Sequence, residues 1–141
     1  MDKRIVSNEL LLEEAAGLMN EGREVNFTPL GSSMLPFIKG GKDSVRLRKM
    51  PSVAVGDIVL VRLPGPRYVL HRIIRIEGDM LTLMGDGNIA GTETCSKEDV
   101  MGTVVAIVKG SRTVIPGKAG LWRMLKPFRR YILGIYRRIA I

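Results

Sequence analysis

The chain has 141 residues, of which 45% are hydrophobic and 26% charged, a composition typical of one globular domain and not of a disordered chain. A single cysteine excludes an internal disulfide and a cysteine-rich metal site. We expect no metal and no cofactor. The longest stretch without a charged residue, 25–38, contains prolines and polar residues and is too short to span a bilayer.

The first predicted element is a helix that begins at Ser7 or Asn8, both good N-caps, and ends near Asn20, before Gly22. We expect it to cover a sheet. Its glutamates interrupt the apolar region that a signal peptide needs. We therefore expect no signal peptide and no transmembrane helix, and a location in the cytoplasm or at the membrane periphery.

Alternating apolar and polar residues then predict a series of short strands. They cover residues 25–30, 45–47, 53–63, 68–76, 80–84, 100–108 and 113–115. The Pro64-Gly65-Pro66 turn favours a hairpin between the third and fourth of these strands. Cys95 falls in a stretch that we interpret as a polar loop. The prediction is a mainly β (α+β) domain over residues 1–117 with terminal helices.

Residues 118–141 form a second predicted unit, a basic amphipathic helix. Residues 1–99 hold 13 basic and 14 acidic side chains, whereas residues 100–141 hold nine basic and none acidic. Apolar residues spaced by four and three predict one helical stripe: Leu121, Leu125, Phe128, Ile132, Ile135 and Ile139. Pro127 is expected to kink this helix or to begin it. The stripe fits peripheral binding to an anionic membrane or packing on the sheet, whereas no helix-turn-helix pattern supports nucleic-acid binding.

Three short motifs follow one another along the predicted sheet. Gly31-Ser32-Ser33-Met34-Leu35-Pro36 supplies a serine, and His71-Arg72-Ile73 holds the only histidine of the chain. Gly85-Asp86-Gly87-Asn88 adds a carboxylate. A serine becomes a useful nucleophile when a base takes its proton, so these residue types together favour acyl-transfer chemistry. Any one motif alone is more often an ordinary turn or a core histidine.

The order G-x-S-M-x-P, G-D-I-V at residues 56–59, H-R-I and G-D-x-N resembles the signal peptidase I group and the related self-cleaving SOS-type repressors. The resemblance covers about residues 25–109 and implies a coiled β-sheet domain. A histidine, where bacterial members have lysine, places the chain with the archaeal and endoplasmic-reticulum branch. A histidine with an ordinary pKa of about 6.5 is suited to accept a proton at neutral pH.

By position in the motif, the resemblance implies that Ser33 is the nucleophile and His71 the base. Ser32 is a candidate for the oxyanion site, together with the Ser33 amide, while Met34 and Pro36 would shape the turn. The third member of the site is left open. It is Asp86 in G-D-x-N or Glu93 further along, or it is absent and a Ser-His dyad remains.

The resemblance implies a serine endopeptidase that cuts a peptide or leader sequence bound as an extended strand. Residues 25–30 and 67–70 would line the groove for it. Two alternatives are a non-catalytic peptide-binding domain of the same fold and a self-cleaving regulatory domain. The sequence indicates neither the substrate nor the oligomeric state.

Overall fold

The computed structural model describes residues 8–65, 67–118 and 128–140. In these ranges, two α-helices and eight strands are present, with a 3₁₀ turn at Lys97–Asp99. The helices are α1 (Asn8–Asn20) and α2 (Arg129–Ala140). The strands are β1 (Val25–Phe27), β2 (Ser44–Arg48), β3 (Ile58–Leu63), β4 (Arg67–Glu77), β5 (Met80–Met84), β6 (Glu93–Ser96), β7 (Val100–Lys109) and β8 (Arg112–Val114). The predicted mainly β, α+β architecture with terminal helices is confirmed.

The described strands form one sheet in the order β1-β2-β7-β3-β4-β5-β6, with β8 paired to β7. Every pairing is antiparallel. The predicted hairpin is β3 with β4, in which Val59 lies opposite His71. The pairs between β4 and β5 begin only at Arg72, opposite Met84. The β4 segment before Arg72 is therefore paired with β3 alone among the described strands.

One apolar cluster joins α1 to the sheet. Leu12, Ala15 and Met19 are buried on α1 and pack with residues of β1, β2, β3, β4 and β7. A Cβ built at Gly102 of β7 would lie 2.4 Å from the sulfur of Met19, so the helix packs closely on the strand at this glycine. Burial of this face explains why α1 covers the sheet as predicted.

Two local predictions need correction. The strand predicted from residue 53 begins at Ile58, because the Asp57 carboxylate accepts the Ala54 amide at 2.9 Å and closes a turn at Gly56, whose φ is 99°. Cys95 does not lie in a polar loop: it is buried in β6, opposite Leu81. Burial, with a smaller contribution from Asp99, raises the pKa of its thiol to about 11.

The predicted C-terminal helix is present from Arg129, and the stripe predicted on it is split between two faces. Ile132 packs beside the buried Leu133, whereas Phe128 and Ile135 are exposed. Leu121, Leu125 and Pro127 lie outside the described residues, as does the side chain of Ile139. The side of α2 that carries Leu133 faces inward, because Leu133 packs with Leu35 and is bordered by Ile132 and Tyr136.

Candidate active site

Residues 29–41, here called the serine loop, leave β1 and return to β2 through a narrow neck. The Gly41 amide donates to the Pro29 carbonyl at 2.7 Å. A Cβ at Gly40 would lie only 1.9 Å from the Gly31 carbonyl oxygen, so the two arms of the neck touch through their backbones. Glycine at position 40 is therefore needed to close the loop that carries Ser33.

Inside the loop, a short turn follows Ser33. The Leu35 amide donates to the Ser32 carbonyl at 3.2 Å, and the Ile38 amide donates to the Met34 carbonyl at 3.0 Å. Pro36 follows a cis peptide bond in this turn. Ser32 is exposed and Ser33 half-buried, while Met34 is buried. The loop thus anchors itself through Met34 and leaves both serines accessible.

The turn Gly85-Asp86-Gly87-Asn88, which follows β5, docks against the serine loop. The Gly87 amide donates to the Ser33 carbonyl at 2.7 Å, and the Asp86 amide donates to the Met34 sulfur at 3.5 Å. A Cβ at Gly87 would lie 2.2 Å from the Ser32 carbonyl oxygen, and one at Gly85 2.4 Å from that of Ser33. Both glycines are needed because the two backbones approach so closely.

His71 lies on β4 beside the same turn and is buried. Its Nδ1 is 2.7 Å from the Oε1 of Glu93, the first residue of β6. Its Nε2 is 3.1 Å from the Cβ position built at Gly85, next to the docked Ser33 backbone. A carboxylate only accepts hydrogen bonds, so in a neutral ring the contact with Glu93 favours the proton on Nδ1 and leaves Nε2 as the acceptor.

Asp86 forms an ion pair with Arg72. Arg72 Nε donates to Asp86 Oδ1 at 2.9 Å, and Arg72 Nη2 donates to Oδ2 at 2.7 Å, with both side chains almost fully buried. Arg72 also donates to the carbonyls of Gly56 and Gly117 at 2.8 and 2.7 Å. Of the two carboxylates predicted as candidates, Glu93 therefore contacts the His71 ring, whereas Asp86 pairs with Arg72.

The helix α2 braces this arrangement with two residues that sequence reasoning missed as site residues. Arg129 is buried, and its Nη1 points to the carbonyls of Gly85 and Asn88 at 3.4 and 3.3 Å. Burial lowers the pKa of this guanidinium, and the Asp86 carboxylate partly opposes that shift. Leu133 packs against Leu35 of the serine loop. Sequence reasoning missed Arg129 because contacts to backbone carbonyls leave no motif in the sequence.

In the described ranges, no three His, Cys, Asp or Glu side chains are grouped so as to hold a metal ion. Within the same ranges, no helix is long and apolar enough to cross a membrane. No protein-family model and no curated protein matches the sequence.

Proposed function

We propose that this protein is a serine endopeptidase in which Ser33 is the nucleophile, His71 the general base and Glu93 the orienting acid. The observation that carries the proposal is the placement of His71. One ring nitrogen bonds Glu93 at 2.7 Å. The other lies 3.1 Å from the Cβ position built at Gly85, and the Ser33 carbonyl oxygen lies 2.4 Å from that same position. A base held by a third group next to a serine is the arrangement that activates a hydroxyl nucleophile.

The proposed reaction follows from these roles. Ser33 Oγ attacks the carbonyl carbon of the scissile peptide bond as its proton passes to His71 Nε2. The same proton then goes to the leaving amine as the C–N bond breaks, which leaves an acyl-enzyme that water hydrolyses by the reverse transfers. Glu93 accepts from Nδ1 throughout and stabilises the imidazolium. The oxyanion would be held by the Ser33 amide, with Ser32 as a further donor.

The substrate in this proposal is an extended peptide that adds to free strand edges. β1 is the first strand of the sheet order, and β4 before Arg72 has only β3 as its described partner. Val25 and Phe27 of β1 pack on the same apolar cluster as Tyr68 and Leu70 of β4. A peptide seated between these two segments would offer backbone hydrogen bonds to both and would reach the serine loop.

A fluorophosphonate probe with peptide mapping tests the nucleophile directly, because it labels an activated serine. We expect labelling at Ser33 that is lost in Ser33→Ala and in His71→Ala. Ser52→Ala, at an exposed serine outside the serine loop, is the matched control and should label as the unmodified protein does. Equal labelling of Ser33→Ala would refute the assignment of the nucleophile.

A peptide library read by mass spectrometry tests the reaction. The intact protein should cleave a subset of peptides, and Ser33→Ala should lower the rate by about 10⁴-fold or more while its melting temperature is kept. Peptides that bind without being cut would favour the non-catalytic alternative. Cleavage of the protein's own chain, with no cleavage of added peptides, would favour the self-cleaving one.

A further inference from the structure

The outer face of α2 carries exposed large side chains that the described fold does not cover. Phe128, one residue before α2, and Tyr131 and Ile135 are 58%, 67% and 59% exposed. Their spacing of three and four places them on one side of the helix. The opposite side holds Arg129 and Leu133, each 1% exposed. Packing on the domain therefore accounts for one face of α2 and leaves the other to solvent.

The charged side chains of residues 100–141 are all basic. Residues 100–141 contain nine basic and no acidic side chains, whereas residues 1–99 contain 13 and 14. Arg129 is buried, and Lys109 and Lys118 form ion pairs with Asp43 and Asp57. Arg130 of α2 is exposed and next to Tyr131 in the chain. A negatively charged surface approaching this face would meet no carboxylate from the segment itself.

We propose that the outer face of α2 binds the surface of an anionic lipid bilayer, with the helix lying in the plane of the interface. Phe128, Tyr131 and Ile135 would enter the boundary between headgroups and acyl chains, where aromatic and aliphatic side chains are favoured. The basic residues would attract the anionic headgroups. Phosphates of a nucleic acid would use the charge but would leave the apolar stripe in water.

The proposal also bears on the position of the serine loop, whose catalytic role depends on the peptidase function proposed above. Leu133 on the inner face packs against Leu35, two residues from Ser33. A bilayer on the outer face would therefore hold the serine loop within the thickness of one helix, about 10 Å, of the interface.

Vesicle co-sedimentation of the full chain tests the surface without any assay of cleavage. The protein should bind vesicles of equal parts phosphatidylglycerol and phosphatidylcholine, should bind phosphatidylcholine alone weakly, and should be released as salt is raised. The triple variant Phe128→Ser, Tyr131→Ser and Ile135→Ser should bind anionic vesicles at least about tenfold more weakly. Met80→Ser, at a residue 50% exposed on the β4–β5 hairpin, is the matched control and should bind normally.

Two further measurements keep the outcome decisive. Ser33→Ala should bind vesicles as the unmodified protein does, so a failure of the peptidase proposal would leave the binding result intact. Arg130→Glu, a single exposed change, should weaken anionic binding even if the triple variant misfolds by circular dichroism. The proposal is overturned if the folded triple variant binds like the control. It is also overturned if the intact protein does not bind anionic vesicles. A dimer that is abolished in the triple variant, without vesicle binding, would show that the outer face of α2 binds a second copy of the chain instead.

Discussion

Replacing the two acidic residues near His71 one at a time should separate a structural role from a catalytic one. Asp86→Ala leaves the Arg72 guanidinium buried without the carboxylate that accepts hydrogen bonds from two of its nitrogens. Both side chains are at most 2% exposed, so water cannot replace the lost partner. Removing one member of such a pair costs about 3–5 kcal/mol, which corresponds to a fall in melting temperature of about 10–17 °C for a domain of this size.

Glu93→Gln should behave in the opposite way. Glu93 is 21% exposed, and a glutamine keeps an oxygen and the same shape, so we expect a loss of stability of about 1 kcal/mol or less. The amide can also donate to Nδ1, which would move the ring proton to Nε2 and remove the acceptor that Ser33 needs. We expect the rate of peptide cleavage to fall by about 10³–10⁴-fold, as for an acid-to-amide change in a Ser-His-Asp triad.

Thermal unfolding and cleavage of one identified peptide, measured on the same samples at a temperature where all are folded, provide the comparison. Glu98→Gln, at an exposed glutamate of the 3₁₀ turn, is the control and should change neither quantity. The reasoning would be refuted if Glu93→Gln cleaved at the normal rate. It would equally be refuted if Asp86→Ala unfolded at the normal temperature and lost activity alone, since Asp86 would then be acting on the chemistry.

Three further changes test the contacts that build the site. Gly87→Ala places a methyl 2.2 Å from the Ser32 carbonyl and should lower cleavage by about a hundredfold through displacement of the loop, whereas Gly17→Ala, with open space around it, should raise the unfolding free energy by about 0.5–1 kcal/mol in a denaturant titration. Leu133→Ala should cost about 2–5 kcal/mol of stability while Ile135→Ala costs about 0.5 kcal/mol or less, and equal losses would contradict the inward orientation of Leu133. Because burial raises the pKa of the Cys95 thiol from 9.0 to about 11, the unfolded chain releases this proton first, so stability should decline between those pH values and decline less in Cys95→Ala. A thiol reagent that labels the native protein readily at pH 8 would contradict that burial.

Local chemistry made the elements predictable from the sequence. The α1 helix ends where Gly22 takes a φ of 85° and its amide bonds the Met19 carbonyl at 3.0 Å, as the glycine stop predicts. The alternation in β4 and β5 and the turn between them also depend on neighbours along the chain. Such signals have short range, so no knowledge of the rest of the fold was needed to interpret them.

The partner of His71 could not be predicted, because it is decided by strand pairing. Asp86 is nearer in sequence, but the turn after β5 directs its carboxylate to Arg72, while the pairing of β6 with β5 brings Glu93 to the ring. The need for glycine at positions 85 and 87 likewise arises from the serine loop, because its carbonyl oxygens lie against these two residues.

The sequence by itself determined a basic C-terminal helix, but only the tertiary structure decided which of its faces is buried. A stripe with a spacing of four and three fits several rotations of a helix about its axis, and the choice depends on what the helix meets. Leu133 enters the space beside Leu35, and Arg129 reaches two carbonyls of the Gly85–Asn88 turn. Those contacts fix the rotation and leave Phe128 and Ile135 outside. Periodicity is a property of one segment, whereas burial is a property of two surfaces that meet.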